Sequence, residues 1–467
     1  MTSPLTSDLS FADLASSIAG RVMTRADEDY DAMRQVFLGD VDRRPAAIAR
    51  VANASDVARV IGFARETGVE LAVRCGGHSN AGQGTSNGGL VLDVRDMTKV
   101  DIDARARTVW ADAGLSALEL CAATDEHGLA VGFGDTGSVG ISGITLGGGV
   151  GYMVRKHGLT IDSLLAAEIV TADGELRHVD ADHEPDLYWA IRGGGGNFGI
   201  ATRFQYQLQD VRQLTGGLLV LPATAETIEG FMSAADAAPD ELSAIANIMP
   251  APPMPLLPAE QRGKLVVFAF ILHLGDPEAS ERAVAPFRAL ATPIVDMVRP
   301  MPYPEIYPPE DPAYRPTPVQ RTMFLDHIGQ KEAKTILDYL EASDASLRAA
   351  QLRVLGGAMA RVPVAATAFA HRASRILAVV VNFYDGTAED RARRAVWADG
   401  FAAALHQGDD GAYVNFLMDE GQARVRAAYP GATWDRLVAI KQRYDPANLF
   451  RLNQNIPPNA GAVVHRG

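Results

Sequence analysis

The chain has 467 residues, 47% hydrophobic and 21% charged, the balance of a soluble globular protein with apolar material for two or three domain-sized units. Its formal net charge of -14 argues against nucleic-acid and anionic-membrane partners. With only two cysteines, Cys75 and Cys121, neither a disulfide framework nor a thiolate metal cluster can be built within the chain.

The first residues, Met1-Thr-Ser-Pro-Leu-Thr-Ser-Asp8, lack the basic-then-apolar order of a secretory signal, so a cytoplasmic location is expected. Ser55 and Asp56 open an amphipathic helix over Val57–Thr67, which Gly68 ends. A short strand over Glu70–Arg74 follows, then a glycine-rich loop from Cys75 to Gly89 and a strand over Leu90–Val94. A helix over Ser116–His127 leads into the longest glycine tract, Gly132 to Gly151, and a strand over Ala167–Thr171 ends in the turn signal Ala172-Asp-Gly174. A helix over Pro185–Ile191 precedes Gly193-Gly-Gly-Gly196 and the strand Ile200–Leu208.

Composition changes after about residue 211. Long glycine tracts stop, and proline runs appear in Pro250–Pro258 and Pro302–Pro318. Strand patterns over Lys264–Leu274 and Ile376–Tyr384 are each followed by a helix, the first capped by Asp276 with Pro277 in its first turn, the second starting near Thr387 with acidic residues at its positive end. Such strand-plus-helix units predict a second α/β layer. The run Ile376–Val381 is too short to cross a bilayer. A last helix, Trp434–Arg443, precedes Tyr444-Asp-Pro-Ala-Asn-Leu-Phe450, and no internal period calls for a solenoid.

Three glycine-rich loops in the first two hundred residues carry the chemistry: Arg74-Cys-Gly-Gly-His-Ser79; Thr136-Gly-Ser-Val-Gly-Ile-Ser-Gly143 with Gly147, Gly148 and Gly149; and Arg192-Gly-Gly-Gly-Gly-Asn-Phe-Gly199. Glycine lets backbone N–H groups approach a pyrophosphate closely, an anion nest without lysine. Gly137, Gly140 and Gly143 recur every third residue, which suits a winding loop better than a helix. A Rossmann fingerprint needs strand, glycine turn and helix in that order, and the third loop runs from helix to strand. Gly77-His-Ser-Asn-Ala81 resembles a hydrolase elbow, but Ser79 is followed by more loop and Ala81 replaces the last glycine. No Cys-x-x-Cys or His-Glu-x-x-His spacing points to a metal.

Together the Arg74–Ser79 loop, the Gly193–Gly199 tract and Tyr444-Asp-Pro-Ala-Asn-Leu-Phe-Arg-Leu-Asn-Gln-Asn-Ile-Pro-Pro458 resemble the berberine bridge enzyme-like FAD oxidases of the vanillyl-alcohol oxidase superfamily, in particular bacterial members similar to hydroxynicotine oxidase and to flavin oxidases of antibiotic pathways. The resemblance covers about residues 40–210 and the last fifty or so. It implies an α+β, two-lobed fold: an FAD domain from residues 1–210 and the returning segment 414–467, with a substrate domain of mainly antiparallel sheet, 211–413, inserted between. It implies a histidyl bond from His78 to the flavin 8α carbon. Thr136 stands where some members carry a second-link cysteine, so a single link is expected. It further implies flavin contacts from Arg74, Cys75, Gly76, Gly77, Ser79, Gln83 and Gly84, from Ser138 and the glycines of the second tract, from Ile169 and Val170, from Gly199, and from Asn415, Asn453 and Asn455. Val139 matches a position where valine accompanies oxidase behaviour and leucine dehydrogenase behaviour.

The resemblance implies hydride removal from an alcohol, amine or secondary metabolite to flavin N5, with O2 reduced to H2O2. The alternatives are a dehydrogenase using another acceptor and a flavoprotein that binds ligand without turnover. Relatives carry Tyr-x-Asn-Tyr near the C-terminus, whose last tyrosine is the base; here Tyr413-Val-Asn415-Phe416 replaces it with a phenylalanine that cannot accept a proton. Tyr413, Asn415 and His371, together with Asp326-His327, are the remaining candidates. Methionine and aromatic residues in Met249–Met254, Val266–Leu272 and Met323–Leu325, without a basic cluster, predict an apolar or aromatic small-molecule substrate.

Overall fold

The computed structural model describes residues 10–311 and 313–459; the expected lack of a leader at Met1–Asp8 lies outside them. Among the described residues, no helix is long and apolar enough to cross a membrane.

The chain first builds a four-stranded sheet in the order Arg21–Thr24, Ala47–Arg50, Leu90–Asp93, Leu71–Arg74, its last two pairings parallel. Parallel neighbours need a crossover, and the helix Ala54–Thr67 supplies it, sinking Val57, Val60, Ile61 and Ala64 into the core. Its cap is Asn53, whose side chain accepts the Asp56 N–H, rather than Ser55 or Asp56. Asp56 is otherwise engaged: fully buried, it accepts the backbone N–H groups of Ala19, Gly20 and Ala52 at 2.9, 2.9 and 3.0 Å. Gly68 ends the helix at φ 69°, in the left-handed region that favours glycine.

A second, antiparallel sheet follows in the order Val100–Asp103, Thr108–Asp112, Ile200–Gln207, Leu164–Val170, Leu176–Val179. The helix Ala117–Asp125 stops short of His127; Ser116 caps it in a reciprocal pair with Glu119. The helix Pro185–Ile191 falls as the sequence predicts.

The glycine tract departs from expectation. Residues Ile141–Gly147 form a helix rather than a winding loop. Glycine weakens a helix, but Ile141, Ile144 and Leu146 are all buried, and that burial outweighs the propensity at Gly143.

The inserted part is one antiparallel sheet in the order Val295–Asp296, Thr215–Pro222, Leu265–His273, Leu242–Pro250, Arg348–Val354, Ile376–Phe383, Pro318–Leu325; Arg299–Pro300 also pairs Thr215–Pro222. Helices Ala225–Ala237, Pro277–Arg288, Gln330–Ala342 and Ala388–Leu405 contribute to the core on one of its faces. Because side chains alternate along a strand, Ala350, Leu352, Val354, Ala378 and Val380 enter that core, while Ala349, Gln351, Arg353, Val379 and Val381 point the other way, to a cavity. The C-terminal Leu417, Trp434, Leu437, Ile440 and Phe450 pack in the same core as the first two hundred residues.

Candidate functional site

A cavity of about 570 Å³ separates the glycine loops from the free face of the inserted sheet, a size suited to a small ligand or part of a cofactor. Its first wall is mostly backbone. A Cβ on Gly76 would stand 2.4 Å from Gly140 N, and one on Gly140 would stand 2.2 Å from Cys75 Sγ. Only glycine lets these two loops touch. Arg74, at the end of the strand Leu71–Arg74, lines the cavity but commits its guanidinium to buried Asp93 at 2.8 Å and to the Met33 carbonyl at 2.6 Å. It shapes the loop from behind. Gly77 turns the chain at φ 75°, presenting His78, Ser79, Gln83 and Gly84 to the same space. Ser79 lies within this loop, its Oγ accepting the Gln83 N–H at 3.3 Å, and occupies no strand-to-helix elbow.

His78 stacks on Phe37 with ring centroids 4.2 Å apart, and its Nε2 lies 2.9 Å from Ser138 Oγ. Burial pushes its pKa down from 6.5 to about 4, against the pull of nearby Glu310, so the imidazole is neutral at physiological pH. Cys75 donates to the Ala113 carbonyl at 3.1 Å, and burial raises its thiol to about 11. Cys121 is fully buried, raised to about 12 and away from the cavity. Thr136 lines the cavity in its place.

The C-terminal segment closes one side. Asn415 donates to the Ile144 carbonyl at 3.1 Å and to Tyr413 Oη at 3.0 Å; Gln83 donates to the Asn453 carbonyl at 2.7 Å. Tyr413 Oη also accepts the N–H groups of Gly149 and Val150 at 2.9 and 3.3 Å. Burial raises its pKa, so Tyr413 positions the glycine turn and is a poor proton acceptor. Lys441, fully buried, holds this segment to the third glycine loop: its Nζ donates to Asp445 at 2.6 Å, Asn197 O at 2.8 Å and Phe450 O at 2.9 Å.

The opposite wall is made of side chains. Asn247, Gln351 and Val379 are register neighbours across three strands, and Gln320 pairs Val381. Arg353 donates to Asp135 at 2.7 Å, to Gln351 Oε1 at 2.8 Å and to the Val150 carbonyl at 3.1 Å, with its guanidinium 4.8 Å from the Phe416 ring centroid. Asp135 is the one carboxylate among the described residues lining the cavity. Sequence reasoning missed Asp135, Arg353, Gln351 and Asn247; the available signal was polar Gln351 and Arg353 alternating with Ala350, Leu352 and Val354.

Other expected site residues lie outside the cavity lining. His371, a candidate acceptor, stacks on Phe324 at 4.7 Å and bonds the Ala428 carbonyl at 3.1 Å, so it packs the core behind the site. Asp326 and His327 are exposed and donate backbone N–H groups to Gln407. Gly147 and Gly149 give way to side chains: a Cβ would stand 1.9 Å from Asn415 Oδ1 and 2.0 Å from Thr160 Oγ1, respectively, while Gly148 adjoins Phe369 and Tyr413. Ile169 and Val170 back Gly199, which does line the cavity. Ser138 bonds His78 from outside the lining, Gly137 packs against Leu118 and Tyr307, and Asn455 lies beside Gln422. Away from the cavity, His178, Asp180 and His183 bring ligand atoms within 4.8 Å of one another. Asp180 there also accepts the N–H groups of Asp182 and His183, the pattern of a side-chain-stabilised turn.

The residues present fit FAD. Gly143 lines the cavity and has open space where a Cβ would project, and Asn453, also lining it, holds a buried amide oxygen with no partner among the described residues. A sequence profile described as an FAD binding domain matches residues 45–180, and one described as berberine and berberine like matches 412–457. The chain is 29% identical over 458 residues to (R)-6-hydroxynicotine oxidase of Paenarthrobacter nicotinovorans, covering 95% of this chain and 97% of that one. Over 184 residues it is 37% identical to glucooligosaccharide oxidase of Sarocladium strictum, 38% of this chain and 36% of the other. The crystal structure of 6-hydroxy-D-nicotine oxidase from Arthrobacter nicotinovorans superposes with a TM-score of 0.84 at 27% identity, covering 95% and 99% of the two chains.

Proposed function

Because the chain belongs to the berberine bridge enzyme-like family of FAD-linked oxidoreductases, we propose that it is an oxidase carrying FAD on a single covalent link through His78. Gly76, Gly77, Gly140, Gly143, Gly199 and Asn453 would hold the cofactor. Bound FAD supplies an acceptor for hydride from a substrate C–H and passes the two electrons to O2, giving H2O2.

The observation that carries this reading is that His78 and Asp135 line one cavity from different stretches of the lobe that carries the glycine loops, the glycine lobe. Loss of a hydride from an alcohol or amine also requires loss of an O–H or N–H proton. Asp135 accepts it in this account, replacing the tyrosine that Phe416 cannot mimic. Arg353 and Gln351 hold the carboxylate in place. Val379, Val381, Phe383 and Phe416 supply an apolar surface beside it. These features suit a small molecule with an apolar, flat body and one hydroxyl or amine directed at Asp135. Arg353, already paired, offers little to a free anion.

The test is anaerobic mixing with a panel of alcohols, amines and sugars, followed by air. Bleaching of the flavin by one class and return of colour with one H2O2 per turnover are expected. Asp135→Asn should lower kcat by about a hundredfold with flavin content unchanged. Reduced protein that stays bleached in air would overturn the oxidase assignment. In that assay Val139→Leu should slow reoxidation.

A further inference from the structure

We propose that Ser138 and Glu310 form a proton relay that makes His78 the nucleophile for its own flavin attachment, an inference that rests on the covalent reading above. Ser138 Oγ lies 2.9 Å from His78 Nε2 and donates to a Glu310 carboxylate oxygen, while the Ser138 backbone N–H donates to the other oxygen of that carboxylate at 3.0 Å. A hydroxyl that donates to a carboxylate has its lone pair free to accept. The chain therefore places the imidazole proton on Nε2 and leaves the lone pair on Nδ1. Nδ1 has no hydrogen-bond partner among the described residues, and His78 lines the cavity. The neutral state described above keeps that lone pair available at physiological pH.

Glu310 comes from the inserted part of the chain, yet it is held firmly. Tyr303, Ile306 and Tyr307 just before it are buried in the core of the glycine lobe, and Pro308-Pro309 stiffen the remaining step. Glu310 is exposed while His78 is half-buried, so the relay runs from the imidazole to solvent. In the attachment step a bond forms between Nδ1 and the flavin 8α carbon, one C–H of that carbon and the imidazole N–H are lost, and the electron pair of the C–H passes to the flavin. Dioxygen then reoxidises the adduct and leaves as H2O2, taking from water two protons that match the two released in attachment. The relay's part is the imidazole proton, which moves from Nε2 through Ser138 Oγ to Glu310 and on to water. Ser138 and Glu310 are positioning residues, since they act through His78.

The experiment uses full-length chain produced without flavin and incubated with FAD in air, reading covalent flavin as fluorescence on denaturing gels and total flavin by gel filtration. Wild type should gain covalent flavin and His78→Ala none. Ser138→Ala should slow attachment by about a hundredfold and Glu310→Ala by about tenfold, each with non-covalent FAD binding retained. Ser138→Thr should restore the rate, and added formate should rescue Glu310→Ala but not Ser138→Ala. Wild-type rates in both alanine variants, with His78→Ala empty, would overturn the relay and leave the covalent reading standing. A wild-type protein that binds FAD only reversibly would overturn both.

Discussion

The two walls of the cavity are built on opposite principles. The glycine wall is backbone against backbone: Gly76 and Gly140 meet where no Cβ fits, and Arg74, Asp93 and Lys441 brace the loops from behind. The sheet wall is a regular strand surface whose shape comes from the side chains Asn247, Gln351, Arg353, Val379, Val381 and Phe383. A wall of the first kind holds one ligand and tolerates little change. One of the second kind can change its side chains without moving its strands, which suits a surface that selects among substrates.

That contrast breaks most visibly at Gly140. Gly140→Val drives a side chain into Cys75 Sγ and Gly76 N, and flavin absorbance per chain should fall below about a tenth of wild type. Next is the brace: Lys441→Ala leaves Asp445 buried without its cation and should cost about 3–5 kcal/mol in urea unfolding. Acid should reach the glycine wall first. Burial holds His78 at about 4, below the ordinary 6.5, and does the same to His157 in the separate short helix Val154–His157. As pH falls from about 6.5 to about 4 the unfolded chain takes up protons that the folded chain does not, so flavin-free protein loses stability across that window and the loss levels off below it. His78→Gln should flatten that profile in part, as read by thermal melts at stepped pH. The smallest effect belongs to the sheet wall: Val381→Ala should change kcat/KM by about tenfold or less, with flavin content and unfolding midpoint almost unmoved. A Val381→Ala protein that lost its flavin would erase the distinction between the walls.

The sequence made the first wall legible and the second nearly silent, for the same physical reason. Close backbone contact restricts residue type, so Gly76, His78, Gly140 and Gly199 stand out as clusters. Alternation along Arg348–Val354 separates Gln351 and Arg353 from Ala350, Leu352 and Val354, but it does not say whether the polar face meets water or a ligand. Asp135 was hidden for another reason: its partner Arg353 lies 218 residues away. The helix Ile141–Gly147 was obscured because glycine spacing drew more weight than the apolar residues Ile141, Ile144 and Leu146. His371 attracted a catalytic reading as an unassigned histidine, and the structure gives it the more common fate of a packed ring bonded to a carbonyl.

Intact-mass measurement of the purified, denatured chain, followed by peptide mapping, addresses the central claim directly. The account predicts an added mass of one FAD, carried by the peptide that contains His78 and by no peptide containing Cys75, Cys121 or Thr136. An unmodified mass from protein purified with its flavin, or an adduct on any other residue, contradicts it.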